Sequence, residues 1–147
     1  MADYIAKKRI QKSLRFSDFD IAFRCHPVTG KLVIKKNEDS IKQAIKYLVL
    51  MSTGERFFNP FLGTNLRRKL FENTSSFLES DLQYVIETNI KNFEPRVTFE
   101  GAEDFLDPLG VTIRVEPDQN LLIVRIKYMC VNSLTVDAVE LNLDRIR

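Results

Sequence analysis

Leu82-Gln83-Tyr84-Val85-Ile86-Glu87-Thr88-Asn89-Ile90-Lys91-Asn92-Phe93-Glu94-Pro95-Arg96-Val97-Thr98-Phe99 contains the change of period that decides the fold. Up to Phe93, apolar residues recur at three- and four-residue spacing. Phe77, Leu78, Leu82, Val85, Ile86, Ile90 and Phe93 form one buried stripe of a long helix that starts near Ser76. Pro95 stops it, because its ring crowds the helical conformation at Glu94 and turns the chain extended. Val97 and Phe99 then open a strand-like pattern. Glu94 and Arg96 sit at this junction against the edge of the core, where charges usually need partners; taken alone, the tripeptide reads more readily as a surface turn with two solvated charges.

Downstream, the period is two. Val111, Ile113 and Val115 alternate with Thr112, Arg114 and Glu116, and Pro117-Asp118-Gln119-Asn120 supplies a turn. In Leu121–Val131, the residues Leu122, Val124, Ile126, Tyr128 and Cys130 share one face, with Arg125 and Lys127 on the other. The last run, Leu134–Leu143, shifts its alternation near Ala138-Val139, as a β-bulge would.

Upstream, Ile21, Phe23 and Cys25 alternate with Ala22 and Arg24. Pro27-Val28-Thr29-Gly30 has turn chemistry, and Leu32 to Ile34 is β-prone, so a hairpin is predicted. Ser40 and Gln43 have capping-box spacing before a helix whose buried face is Ile41, Ala44, Ile45, Leu48 and Val49, with Gly54 as terminator. Leu66, Leu70 and Phe71 suggest a short helix. The sum is an α+β single domain: an N-terminal hairpin, two main helices plus a short one, and a C-terminal mixed or antiparallel sheet.

The chain has 147 residues, 44% hydrophobic and 29% charged, enough for one domain with its own core. Eleven Phe and no Trp make Phe, Leu, Ile and Val the core builders. The net charge of +2 implies no polyanion partner by itself. Residues 1–15 are a basic arm, with Lys7, Lys8, Arg9, Lys12 and Arg15 against Asp3, leaving 16–147 as the folded domain. An arm of this kind can bind nucleic acid or an anionic surface through counterion release; more often it is a solvated tail or docks on an acidic partner. No aromatic or Gly-rich pattern accompanies it, which argues against nucleic acid. No apolar run reaches the length of a membrane span and no signal-like apolar core is present, so a soluble protein without a cleaved signal is expected. Cys25 and Cys130 lack metal or redox spacing and read as reduced thiols.

Catalytic patterns are thin. One His and two distant Cys do not make a zinc site, and His26 before Pro27 reads as a surface or capping histidine. There is no P-loop and no nucleophile elbow. A glycosidase needs only two carboxyl groups, and Glu55, Glu94, Glu100, Glu103 and Asp104 are available. Glu94 beside Arg96, however, is favoured in its charged form, which is wrong for a general acid. No cofactor, metal or small-molecule ligand is expected. The charges serve better as a clamp: if Gly54-Glu55-Arg56 meets Glu94-Pro95-Arg96, then Arg56 can bind Glu94, or Arg96 can bind Glu55, in bidentate geometry.

Taken in order, these motifs resemble a known family. They are Phe16-Ser17-Asp18-Phe19-Asp20-Ile21-Ala22-Phe23, His26-Pro27-Val28-Thr29-Gly30, Glu38-Asp39-Ser40-Ile41-Lys42-Gln43-Ala44-Ile45, Gly54-Glu55-Arg56, Asn59-Pro60-Phe61-Leu62-Gly63 and Glu94-Pro95-Arg96-Val97. The set is similar to the baseplate wedge, sheath-initiator family of contractile-tailed bacteriophages, related to type VI secretion baseplate proteins. The resemblance covers roughly residues 16–130, with Lys31 and Ser40 as small departures. It implies a non-enzymatic virion protein of the tail baseplate, made in the host cytoplasm, with a fold similar to the tail-sheath interlocking domain. Its implied partners are the tail-sheath protein and other baseplate wedge proteins. Its implied action is to template the first sheath ring by β-strand augmentation. Glu94, Pro95, Arg96, Gly54, Glu55 and Arg56 carry over as assembly and core-fixing residues. Leu121–Val131 and Leu134–Leu143 become the expected receiving strands, with Leu122, Val124, Ile126, Tyr128, Val136 and Leu141 as the partner-strand surface. The rival functions are a peptidoglycan glycosidase (lysozyme-like) using Glu94, and a nucleic-acid-binding module using residues 1–15.

Overall fold

The structure, a computed structural model, describes residues 16–69, 76–100, 108–116 and 121–144. The basic arm, Leu70, Phe71 and the turn at 117–120 therefore lie outside the described residues. In chain order the elements are β1 (Ser17–Phe19), β2 (Ile34–Lys36), α1 (Glu38–Leu50), α2 (Leu66–Lys69), α3 (Ser76–Phe93), β3 (Val97–Thr98), β4 (Gly110–Glu116), β5 (Leu121–Cys130) and β6 (Val136–Asp144). This is an α+β domain, and every described strand pair is antiparallel. No described helix is long and apolar enough to cross a membrane.

The main sheet is built around β5. β6 pairs with one edge of it, from Leu121↔Asp144 to Met129↔Val136. β4 pairs with it from Gly110↔Lys127 to Glu116↔Leu121, and β3 adds Val97↔Cys130 and Thr98↔Met129. A strand has two edges and β6 fills one over its whole length, so β4 and β3 share the other, end to end. Side chains alternate across a pleat, so one face collects Val111, Ile113, Leu122, Val124, Ile126, Tyr128, Cys130, Val139 and Leu141, all buried. α1 covers this face at β6 and α3 covers it at β4. They bring Ile41, Ile45, Leu48 and Val49, and Leu82, Ile86 and Ile90. Full burial of each large aliphatic side chain contributes about 1.5–3 kcal/mol, so the contact between the helix layer and the sheet holds the domain together.

Three local expectations are corrected. The N-cap position is Asn37, not Ser40, and its side chain makes no cap hydrogen bond: the chain enters α1 one turn earlier, leaving the Ser40 hydroxyl buried with no partner among the described residues. Gln43 is thereby free to reach the hairpin, where its Nε2 donates to Phe19 O at 2.6 Å and its Oε1 accepts from Ile21 N at 3.4 Å. The hairpin pairs β1 with β2 and keeps only a bridge at Cys25↔Leu32, because Ile21–Phe23 turn instead of extending. Phe23 N–H donates to Asp20 O at 2.8 Å in that turn. Finally, β6 has no bulge, since its register runs unbroken through Ala138 and Val139. The shifted alternation arises because Asp137 occupies the core-facing row beside Tyr128, at the end of the sheet, where it reaches Lys42 of α1 at 2.9 Å.

Candidate functional site

The proline-stopped corner is the most constrained polar feature. α3 ends at Phe93, and the buried Glu94 carboxylate accepts from Arg96 Nε and Nη2, each at 2.5 Å. Such fork geometry is the strong form of a charge-assisted bond. Pro95 is what allows it, since an extended turn brings residue 96 back over residue 94. Arg96 also lies 5.2 Å from the Phe16 ring centroid, and its carbonyl accepts from Val131 N–H at 2.9 Å. The hydrogen bond to Glu94 raises the Arg96 pKa above its ordinary value, more than burial lowers it. The corner thus ties α3, β3 and the segment after β5 together.

The expected cross-pairing with Gly54-Glu55-Arg56 is not made. Glu94 is already taken by Arg96, and Glu55 Oε2 accepts from Ser52 N–H at 3.1 Å. Gly54, at φ 88°, donates to Pro60 O at 2.9 Å and so closes the loop. Arg56 and Glu94 still border the same open groove, about 480 Å³, with Phe19, Phe23, Tyr47 and Phe93. Gly63 lets the loop return onto the end of α1: a Cβ there would stand 2.6 Å from Met51 O, and its φ is 119°. Beside it, Thr64 N–H donates to that carbonyl and Thr64 Oγ1 donates to Val49 O at 2.6 Å.

The expected partner-strand surface divides. Leu122, Val124, Ile126 and Tyr128 are buried in the core, and both edges of β5 are already paired, so they offer no contact surface and β5 is not a receiving strand. Val136 and Leu141 lie on β6, whose far edge pairs with no strand among the described residues. Cys130 N–H donates to Thr135 O at 2.9 Å, which fixes the phase of the ladder. Hydrogen bonds alternate along an antiparallel pair. Leu122, Val124, Ile126 and Tyr128 therefore exchange bonds with Leu143, Leu141, Val139 and Asp137. The N–H and C=O groups of Val136, Ala138, Glu140, Asn142 and Asp144 then point outward, and Val136 N–H meets no acceptor among the described residues. Ala138 N–H donates to Asp137 Oδ1 at 2.8 Å, whereas those of Glu140, Asn142 and Asp144 meet no acceptor among the described residues. On the other side of the sheet the outward amides are those of Val111, Ile113 and Val115, and Val111 N–H is met by Glu87 Oε1 at 3.4 Å.

A second exposed feature is aromatic. Phe57, Phe58 and Phe61 stand out from the loop before α2, and Phe19, Phe23 and Tyr47 are exposed as well. His26 caps its turn as expected, with Nδ1 accepting from Val28 and Thr29 N–H at 3.3 and 3.4 Å. Cys25 and Cys130 are both free thiols, the first exposed and the second buried, and burial chiefly raises the Cys130 pKa. Among the described residues no group of three or more His, Cys, Asp or Glu converges as a metal site would require.

Residues 35–133 match the family described as baseplate wedge protein gp25. The chain belongs to that family. Over 94 residues it is 29% identical to the baseplate wedge protein gp25 of Enterobacteria phage T4, a match that spans 64% of each chain. The chain thus covers just under two-thirds of that relative. Its fold is shared with a Geobacter sulfurreducens protein named as a candidate tail lysozyme, at TM-score 0.63 and 16% identity, over 80% of this chain and 98% of the other. It is shared too with a chain of the anti-feeding prophage baseplate, at TM-score 0.59 and 20% identity, over 90% and 88%. The gp25-family region takes in α1, the 54–63 loop, the Glu94-Pro95-Arg96 corner and β5, but ends before β6. Sequence reasoning missed Lys42, Asp137 and Gln43 as connectors. The polar Asp137 inside an apolar row was the available signal.

Proposed function

We propose that this protein is a structural subunit of a contractile-tail baseplate wedge, resident in the virion, and that its β6 edge receives an extended arm of the tail-sheath protein. The first sheath ring would then start where this edge is presented. The observation that carries the reading is the run of outward amides at Glu140, Asn142 and Asp144, which meet no acceptor among the described residues. An added strand satisfies such groups by main-chain hydrogen bonding while its alternate side chains set the register. Left bare, a strand edge is a liability that soluble proteins ordinarily cover or blunt. Membership of the gp25 family and the fold shared with a baseplate chain support the wedge assignment. The exposed aromatics at Phe57, Phe58 and Phe61 supply the apolar surface that contacts with neighbouring wedge subunits require.

A lysozyme-like activity has less support. Both Glu94 oxygens accept from the Arg96 guanidinium, which leaves neither disposed to deliver a proton to a sugar oxygen. The test is sheath assembly on baseplates. Baseplates carrying the native chain should nucleate sheath from purified sheath protein, and baseplates carrying Asn142→Pro should not. Cell-wall hydrolysis abolished by Glu94→Gln would instead establish the enzyme.

A further inference from the structure

We propose that the Lys42–Asp137 pair is a register stop: it closes the β6 edge at Ala138, so that an incoming strand can pair only with Glu140, Asn142 and Asp144. This rests on the reading of β6 as the receiving strand and adds what determines where pairing ends. Of the five outward amides of β6, that of Ala138 alone meets an acceptor among the described residues, Asp137 Oδ1 at 2.8 Å, and it separates Val136 from the run at Glu140, Asn142 and Asp144. The other carboxylate oxygen is held by Lys42 Nζ at 2.9 Å. Asp137 lies in the core-facing row, opposite Tyr128, so α1 holds its carboxylate in place while the backbone of Ala138 faces the open edge. A carboxylate seated on an edge amide denies that donor to a partner strand, and its charge repels an incoming carbonyl oxygen. One residue of slippage exchanges the two faces of a strand, so a fixed end point matters wherever one face is buried.

The open segment also defines its occupant. Its core-facing row is Val139, Leu141 and Leu143, and its solvent row is Ala138, Glu140, Asn142 and Asp144. A strand with apolar residues at alternate positions would extend the cross-strand rows Val111–Ile126–Val139 and Ile113–Val124–Leu141. A second copy of this chain does not fit. Antiparallel self-pairing centred on Asn142 sets Glu140 against Asp144 of the copy at both ends, and directly opposed like charges destabilise a ladder. The fitting occupant is a heterologous strand, apolar on one face and free of acidic residues on the other.

Residue-resolved amide exchange of the full chain, alone and with purified tail-sheath protein, tests this. In the free native protein Ala138 should exchange at least about tenfold more slowly than Glu140, Asn142 and Asp144, the protection that one hydrogen bond confers. Sheath protein should protect those three and leave Ala138 unchanged. Asp137→Ala should free the Ala138 amide, which should then gain protection only on adding sheath protein, as pairing runs past the former stop. Asp137→Asn, which keeps an acceptor, should restore native behaviour at Ala138. Protection of the three amides with an end point that does not move in Asp137→Ala would overturn the register stop while leaving β6 as the receiving strand. No protection at any of the three would remove both.

Discussion

The two sides of β5 are tied to the helices by different ion pairs, and they end in different edges. On the β3 and β4 side, Glu94 and Arg96 form a forked pair with side chains 8% and 25% exposed. α3 leans over that side, and Glu87 reaches the first outward amide. On the β6 side, Lys42 and Asp137 form a single contact with side chains 38% and 23% exposed. Beyond it lies the longer run of open amides. The first side is built to stay as it is, and the second is finished only up to Ala138. A corner residue that locks one edge leaves the other available without loosening the sheet between them.

The comparison breaks most completely if the shared strand fails. Ile126→Ala in β5 should cost ~2–5 kcal/mol, through lost burial and the cavity left at a fully buried position, read as a lowered urea midpoint. Both edges should become labile together in amide exchange. Next in size is the locked side. Arg96→Met strands the Glu94 carboxylate in its buried site, and about 3 kcal/mol should be lost in the same denaturation experiment.

Two proline substitutions separate the edges. Asn142→Pro and Ile113→Pro each remove an outward N–H, so each should cost only ~1–2 kcal/mol of stability, as proline is tolerated at sheet edges. Sheath binding in a sedimentation assay should fall at least about tenfold for Asn142→Pro and stay within about twofold for Ile113→Pro. The smallest effect lies in the Lys42 pair. Its contact with Asp137 raises the Lys42 pKa above the ordinary lysine value of 10.5, against a smaller lowering by burial. The pair's stabilisation is therefore fully present below pH 10.5 and is lost as pH rises through the raised folded value. Arg96 keeps its proton through that window. Exchange at Ala138 should accelerate there, beyond the intrinsic base dependence shown by exposed amides, before the Glu94–Arg96 side responds. Lys42→Met should remove that excess at a stability cost below ~1 kcal/mol.

The periodic parts of the fold were legible in the sequence. α3, β4 and β5 follow from apolar spacing, and the stop at Glu94 follows from Pro95. What spacing could not supply is which edge is occupied, because edges are a property of pairing among distant strands. Leu122, Val124, Ile126 and Tyr128 were therefore expected at a partner surface, when their regular alternation was that of a central strand. The shift near Ala138-Val139 reads in the sequence as a bulge because a polar residue in an apolar row, Asp137, has two explanations, and only the position of Lys42 on α1 distinguishes them. Arg56 was expected to reach Glu94 because the short turn returning Arg96 to Glu94 is a matter of backbone geometry. The hairpin pairing lies farther from its Pro27–Gly30 turn than expected because Asp20 takes Phe23 N–H into a turn, and Arg24 Nε then lies 2.7 Å from the Asp20 carboxylate.

The most direct measurement is a reconstruction of the junction between baseplate and sheath, resolved well enough to trace main chain. The account predicts a segment of sheath protein running beside β6, hydrogen-bonded to Glu140, Asn142 and Asp144 and ending before Ala138. A bare β6 edge in particles with an assembled sheath, or a sheath strand seated on β4 instead, would contradict it.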